Sequence, residues 1–176
     1  SIMKKIAIIL TCITMILALD GTIGGVTYFE YTNAEDISAF NLNRQYFTYL
    51  GNSYNSDLRF AIVFDVGRTN NIDGEDTRLT AFLKKAQVDY ICSLGVVSLG
   101  LIGMNTYGVQ ENTWGYRFLE KSAIDKNNFS STADLGVGFS KSFIEDLNIS
   151  LQIVNGEGYK KAQGDEYHKI SFNATY

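Results

Sequence analysis

The chain has 176 residues, a net charge of −4, 45% apolar and 19% charged residues, and no proline. That length gives one domain or a piece of one. The acidic balance, with no basic cluster beyond pairs such as Lys160 and Lys161, offers no footing for nucleic acid, and one histidine with two cysteines excludes a Cys/His metal centre by count.

The N-terminus carries the first signal. Lys4 and Lys5 precede an almost wholly apolar run, residues 6–19. A basic start, a short apolar core and a small-residue exit form the secretory signal pattern. The run is shorter than the roughly 20 residues that span a bilayer. Residues 3–22 are therefore expected to be a signal peptide, cleaved somewhere in 18–25, and residues 23–176 a β domain. An uncleaved N-terminal anchor is the alternative. Cys12 would leave with the leader, so Cys92 would remain without a disulfide partner. Ser1 and Ile2 precede Met3, the expected start, which suggests a fragment.

After the leader the chain alternates apolar and polar residues in stretches of strand length. The first stretch, 26–31, sets Val26 and Tyr28 against Thr27, Phe29 and Tyr31. The second, 40–49, sets Asn41, Asn43 and Gln45 against Phe40, Leu42, Arg44 and Tyr46. Arg44 falls on the apolar side there, so it must either turn inward or sit at a membrane interface, because a lipid-facing arginine costs about 2–4 kcal/mol. The third opposes Leu58, Phe60, Ile62, Phe64 and Val66 to Arg59, Ala61, Val63 and Asp65. In the fourth, 79–90, the apolar positions pass from odd to even numbers, which predicts a bulge at Lys84–Lys85. The fifth (96–103), the sixth from Asp134, the seventh from Leu147 and the eighth from Lys169 alternate cleanly. The connections are expected to alternate too: medium, short, long, tight, very long, short, long. Short turns at one end and long loops at the other suit an outer-membrane barrel. The fold expected is an all-β, antiparallel transmembrane β-barrel, with one long loop turned inward.

That loop, residues 104–128, is too long to be a passive connection. Trp114 and Phe118 lie four apart, as on one face of a helical turn that Asn112 or Thr113 could cap. An Ω-loop on a soluble β domain is the alternative. Catalytic signatures are missing: His168 stands alone in a charged loop, and there is no G-x-S-x-G elbow. Asn71, Asp73, Glu75 and Asp76 around Gly74 lack the spacing of a calcium loop. No enzyme, metal or cofactor is expected. The polar face leaves Arg59, Asp65, Asp89 and Asp134, with Asn148, Gln152, Arg44 and Lys84, as candidate pore-lining groups. In the loop, Arg117, Lys121 and Lys126 oppose Glu111, Glu120 and Asp125. Such charges either select ions by sign in a narrow water path or pair to hold the loop in place.

The run GLIGMNTYGVQENTWGYRFLEKS, followed by ADLGVGFS and LQIVNGEGY, resembles the phosphate-selective porin O and P family, above all in Arg117-Phe118-Leu119-Glu120-Lys121-Ser122. The resemblance implies a 16-stranded barrel, a homotrimer, with the third outer loop folded inward and this chain as its N-terminal half. The chain lacks the ladder of arginine and lysine that phosphate selectivity requires. The function expected is passive diffusion of small hydrophilic solutes or ions across the outer membrane, amid its lipid. Two alternatives stay open: a complete eight-stranded barrel with a structural or adhesive role, and a secreted soluble domain that binds a ligand.

Overall fold

The computed structural model describes residues 20–68 and 78–176. The expected leader lies outside the described residues, except that Asp20, Gly21 and Thr22 open the first strand. The acidic turn around Gly74 also lies outside them.

Eight strands form one antiparallel sheet in sequence order: β1 (Asp20–Ala34), β2 (Ile37–Asn52), β3 (Leu58–Arg68), β4 (Leu79–Cys92), β5 (Gly95–Gly103), β6 (Ala133–Ile144), β7 (Leu147–Val154) and β8 (Lys169–Thr175). Two helices, α1 (Asn105–Trp114) and α2 (Ala123–Lys126), interrupt the segment between β5 and β6. The chain is all-β with each strand paired to its sequence neighbour. Among the described residues no ladder joins β8 to β1, so the sheet is open along those two edges.

The first connection differs from expectation. β1 and β2 run to 15 and 16 residues, and only Glu35 and Asp36 turn between them. The alternation of lengths therefore begins at the second connection, where the short turns 93–94 and 145–146 are interleaved with the long segments 104–132 and 155–168.

Of three single-residue register shifts among the described residues, the one near the end of β6 leaves Phe143 over, and the other two keep the faces of the sheet consistent. Between β3 and β4, Val63 pairs with Lys85 and Phe64 with Leu83, so Lys84 is the extra residue at the place its parity change predicts. Between β1 and β2, Tyr28 pairs with Arg44 and Phe29 with Leu42, leaving Asn43 over. That second bulge resolves the conflict at Arg44. Residues directly opposite share a face, so Arg44 and Tyr46 lie with Asp65, while Phe40 and Leu42 lie with Tyr31 and Phe29. Gln45, expected on the polar side, instead turns to the apolar side, where the Thr27 hydroxyl donates to its Oε1 at 2.6 Å.

The two faces have opposite fates. One carries Leu99, Val137, Leu151, Ile153, Ile170 and Phe172, and these are exposed, Phe172 at 63% and Ile170 at 70%. The other carries Asp65, Asp134, Gln152 and Ser171, and these are buried. The buried apolar cluster is small: Ile102, Met104, Tyr107 and Val154, with Ile124 against it. It sits on the polar face, between the sheet and α1.

Where β5 and β6 carry that helix, glycine keeps the wall thin. Gly100 and Gly136 pair directly; a Cβ on Gly100 would strike the Ala86 carbonyl oxygen, and one on Gly136 that of Ile153. Gly100 also holds φ at +104°, a region side chains disfavour. Gly100→Val should therefore destabilise the sheet by about 1–3 kcal/mol, read as a lower midpoint in denaturant unfolding, whereas Leu99→Val, at the neighbouring exposed position, should lower it less.

Candidate functional site

The site is the polar face and the segment folded onto it. β5 ends at Gly103, Met104 remains extended (φ −71°, ψ 129°), and α1 begins at once. Gly115 ends it in the left-handed conformation (φ 67°), its N–H bonded to the Glu111 carbonyl. The helix thus lies before the turn expected after Asn112 or Thr113, and neither residue caps it. Thr113 instead donates its hydroxyl back to the Val109 carbonyl at 2.8 Å. Trp114 and Phe118 do not share a helical face either. Trp114, Tyr116 and Phe118 follow one another at ring separations of 5.7 and 6.2 Å. Trp114, Phe118 and Leu119 are 41%, 62% and 73% exposed, so the aromatic run does not anchor the segment.

A polar residue does. Asn105 donates its backbone N–H to Gln152 Oε1 at 2.9 Å and its Nδ2 to Ser150 Oγ at 3.1 Å. Its Oδ1 accepts from the Ser171 hydroxyl at 2.6 Å. Gln152 closes the set by donating Nε2 to the Gly103 carbonyl at 2.8 Å. All these partners come from the buried polar face of β7 and β8, against which α1 lies. Further along, the Tyr107 hydroxyl donates to the Ser130 carbonyl at 2.5 Å. Burial, with Asp125 and Glu111 adding to it, pushes this phenol up to about 12, which keeps it a donor at neutral pH. Gln110 accepts the Ile124 N–H at 3.1 Å and so fastens α2 to α1.

From that anchor the segment reaches the opposite end of the sheet. Arg117, Phe118, Leu119, Glu120 and Lys121 line a cavity of about 260 Å³ with Tyr28, Asn43 and Arg44 of β1 and β2. The segment thus touches both ends of the sheet, β7 and β8 through Asn105 and β1 and β2 through residues 117–121.

Several of the charges at this crossing are paired. Arg44 meets Asp65 at 2.6 Å, and the Asp65 side chain is fully buried. Lys84 donates to the Tyr46 hydroxyl at 2.8 Å and lies 4.2 Å from the ring centroid. Arg117 lies 3.2 Å from Asp125 and 3.6 Å from Glu111. Glu120 and Lys126 pair at 3.0 Å in the open, and the Lys121 backbone N–H together with Lys126 holds the Glu120 carboxyl below its ordinary range. Tyr159, from the segment between β7 and β8, stacks on Phe82 at 6.1 Å, its phenol raised by burial.

The candidate residues thus divide. Arg117, Glu120 and Lys121 line the cleft with Arg44, while Glu111 and Asp65 hold its arginines. Arg59 and Asp89 pair in register at the other end of β3 and β4, about 20 Å from Asp65 at strand rise. Asp89 is occupied there by Gln87 Nε2 and the Ser98 hydroxyl, both at 2.6 Å. Asp134 is built into the wall: it is 3% exposed and accepts the backbone N–H groups of Leu135 and Gly156, each at 2.8 Å. Asn105, Tyr46 and Tyr159 were not foreseen as part of the site. The only signal for Asn105 was an isolated amide just past a strand end.

Compared with protein-family models, curated proteins and solved structures, the chain matches none.

Loss of the Asn105 side chain leaves Ser171 and Ser150 without their partner at a cost of about 1–3 kcal/mol. Asn105→Ala should therefore raise amide hydrogen exchange across α1 by roughly tenfold or more while the β5–β7 ladders keep their protection. Equal loss in both would mean that the segment and the sheet open as one unit.

Proposed function

We propose that this sheet is part of the wall of an outer-membrane β-barrel, a porin through which small hydrophilic solutes diffuse passively past the inward-folded 104–132 segment. One observation carries the reading: most large apolar side chains of one face of the sheet are exposed, while the buried polar groups Asp65, Asp134, Gln152 and Ser171 all lie on the other. In water that arrangement leaves an apolar surface spanning eight strands, far beyond the few hundred Å² that soluble monomers tolerate. Hydrocarbon removes the cost, and period-two alternation with the apolar side out is the pattern of a lipid-facing barrel strand. The alternating connection lengths from β2 onward support the same orientation.

Hydrocarbon also leaves unpaired strand edges uncompensated at several kcal/mol per group. A barrel built on this sheet therefore pairs β1 and β8 either with each other or with further strands, the second being the course of the larger barrel of the phosphate-selective porin O and P family that the sequence resembles. A homotrimer follows from that resemblance alone. Two of the cations at the cleft, Arg44 and Arg117, each have a carboxylate partner, which weakens their pull on anions such as phosphate. The reading assigns the protein no catalytic role.

Expressed whole with its leader, the protein should fractionate with outer membranes and form steady channels in planar bilayers. Deleting residues 110–124 should raise conductance roughly twofold or more, since the obstruction in the water path is removed. Folded protein recovered from the soluble periplasm, or a folded deletion variant with unchanged conductance, would count against the proposal.

A further inference from the structure

α1 has one face that the loop does not use. Tyr107, Gln110 and Glu111 are occupied by Ser130, Ile124 and Arg117. Asn105, Gly108, Val109 and Asn112 fall at the i, i+3, i+4, i+7 spacing of the opposite face. That face looks across a cavity of about 340 Å³ at the inner rows of β5–β8, among them Ser140, Asn148, Ser150 and Asn173. No charged side chain lines it among the described residues.

The cavity holds unused hydrogen-bonding groups of both kinds. The side chains of Asn112 and Ser140 make no hydrogen bond among the described residues. Asn148 donates Nδ2 to Ser142 and keeps Oδ1 as an acceptor. Asn173 accepts from the Thr175 hydroxyl and keeps Nδ2 as a donor. Val109 adds an exposed apolar patch beside them. Gly108 leaves the space open: a Cβ there would meet nothing within 4 Å.

We infer that this cavity is a subsite for a neutral polyhydroxylated solute, a monosaccharide or linear polyol. A hydroxyl donates and accepts at once, which suits a wall mixing amide and hydroxyl groups. Val109 meets the C–H surface of such a molecule. An anion entering the cavity would lose hydration with no cation to replace it, so the site discriminates against phosphate and carboxylates. The place of this subsite on a diffusion path rests on the porin reading; its binding chemistry does not. Binding on a path must be weak enough to allow exit, on the order of millimolar, an energy of about −4 kcal/mol.

The test uses the full-length protein folded in detergent micelles, with saturation-transfer NMR reading D-glucose, sorbitol and inorganic phosphate. Glucose and sorbitol should bind saturably in the millimolar range and phosphate should not. The double variant Asn112→Leu/Asn173→Leu should weaken binding at least about tenfold. Gly108→Leu, which fills the cavity without removing a polar group and favours the helix, should do the same and decides the matter if the double variant does not fold. Absence of saturable glucose and sorbitol binding, equal binding of phosphate, or unaltered binding in Gly108→Leu overturns the proposal. Planar-bilayer recordings of the same preparation separate the two readings. Conduction without saturable binding retains the porin and removes the subsite; saturable binding without conduction does the reverse.

Discussion

A strand presents its side chains to alternate faces and cannot skip one, and the rest of this structure depends on that constraint. Where an arginine or lysine falls out of phase, the chain must either leave a charge on the apolar face or insert one residue. β2 and β4 each insert one, Asn43 and Lys84. The insertions bring Arg44, Tyr46, Asp65 and Lys84 together on one face, within reach of one another. On the apolar face Thr27 and Gln45 satisfy each other, and Lys141, near the end of β6, lies over the Phe143 ring. Sorting by face thus creates both an apolar surface and the charged wall opposite it.

The polar face is itself divided, and the division seats the loop. On β5 and β6 it is lined by Ser98, Gly100, Gly136 and Gly138, which leave space for α1 and the Ile102–Met104–Tyr107–Val154 cluster. On β2–β4 it carries long charged and phenolic side chains, which meet the far end of the same segment at Arg117. Small residues at one end and large ones at the other let a single connection be anchored beside β8 and reach β1. The ion pairs at Arg117 hold the segment's own turn together, since Glu111 and Asp125 both belong to it.

Much of this was legible in the sequence because period-two alternation survives in the residue order. All eight strands could be placed, and the parity change in β4 located its bulge at Lys84. The β2 bulge was hidden: Asn43 and Gln45 are both polar, so the stretch read as one unbroken polar row with a misplaced arginine. α1 was hidden for a different reason. Its docking depends on the hydrogen bonds of Asn105 and on Tyr107, whereas the aromatic run from Trp114, which drew attention by hydrophobicity, lies exposed. Asp134 could not be told from a pore-lining carboxylate by alternation alone, because its backbone partner Gly156 lies on another segment.

The central claim is that the exposed apolar face of the sheet meets hydrocarbon and the other face meets water. Two adjacent rows test it: Phe139, Leu151 and Phe172 on the first face, and Ser140, Ser150 and Asn173 on the second. Each position, changed singly to cysteine in a Cys92→Ser background and spin-labelled in lipid vesicles, reports its accessibility to oxygen and to a water-soluble nickel chelate. The account predicts oxygen-dominated relaxation at the first three and chelate-dominated relaxation at the second three, switching at each step along a strand. Chelate access at Phe139, Leu151 and Phe172 equal to that at their neighbours would contradict it.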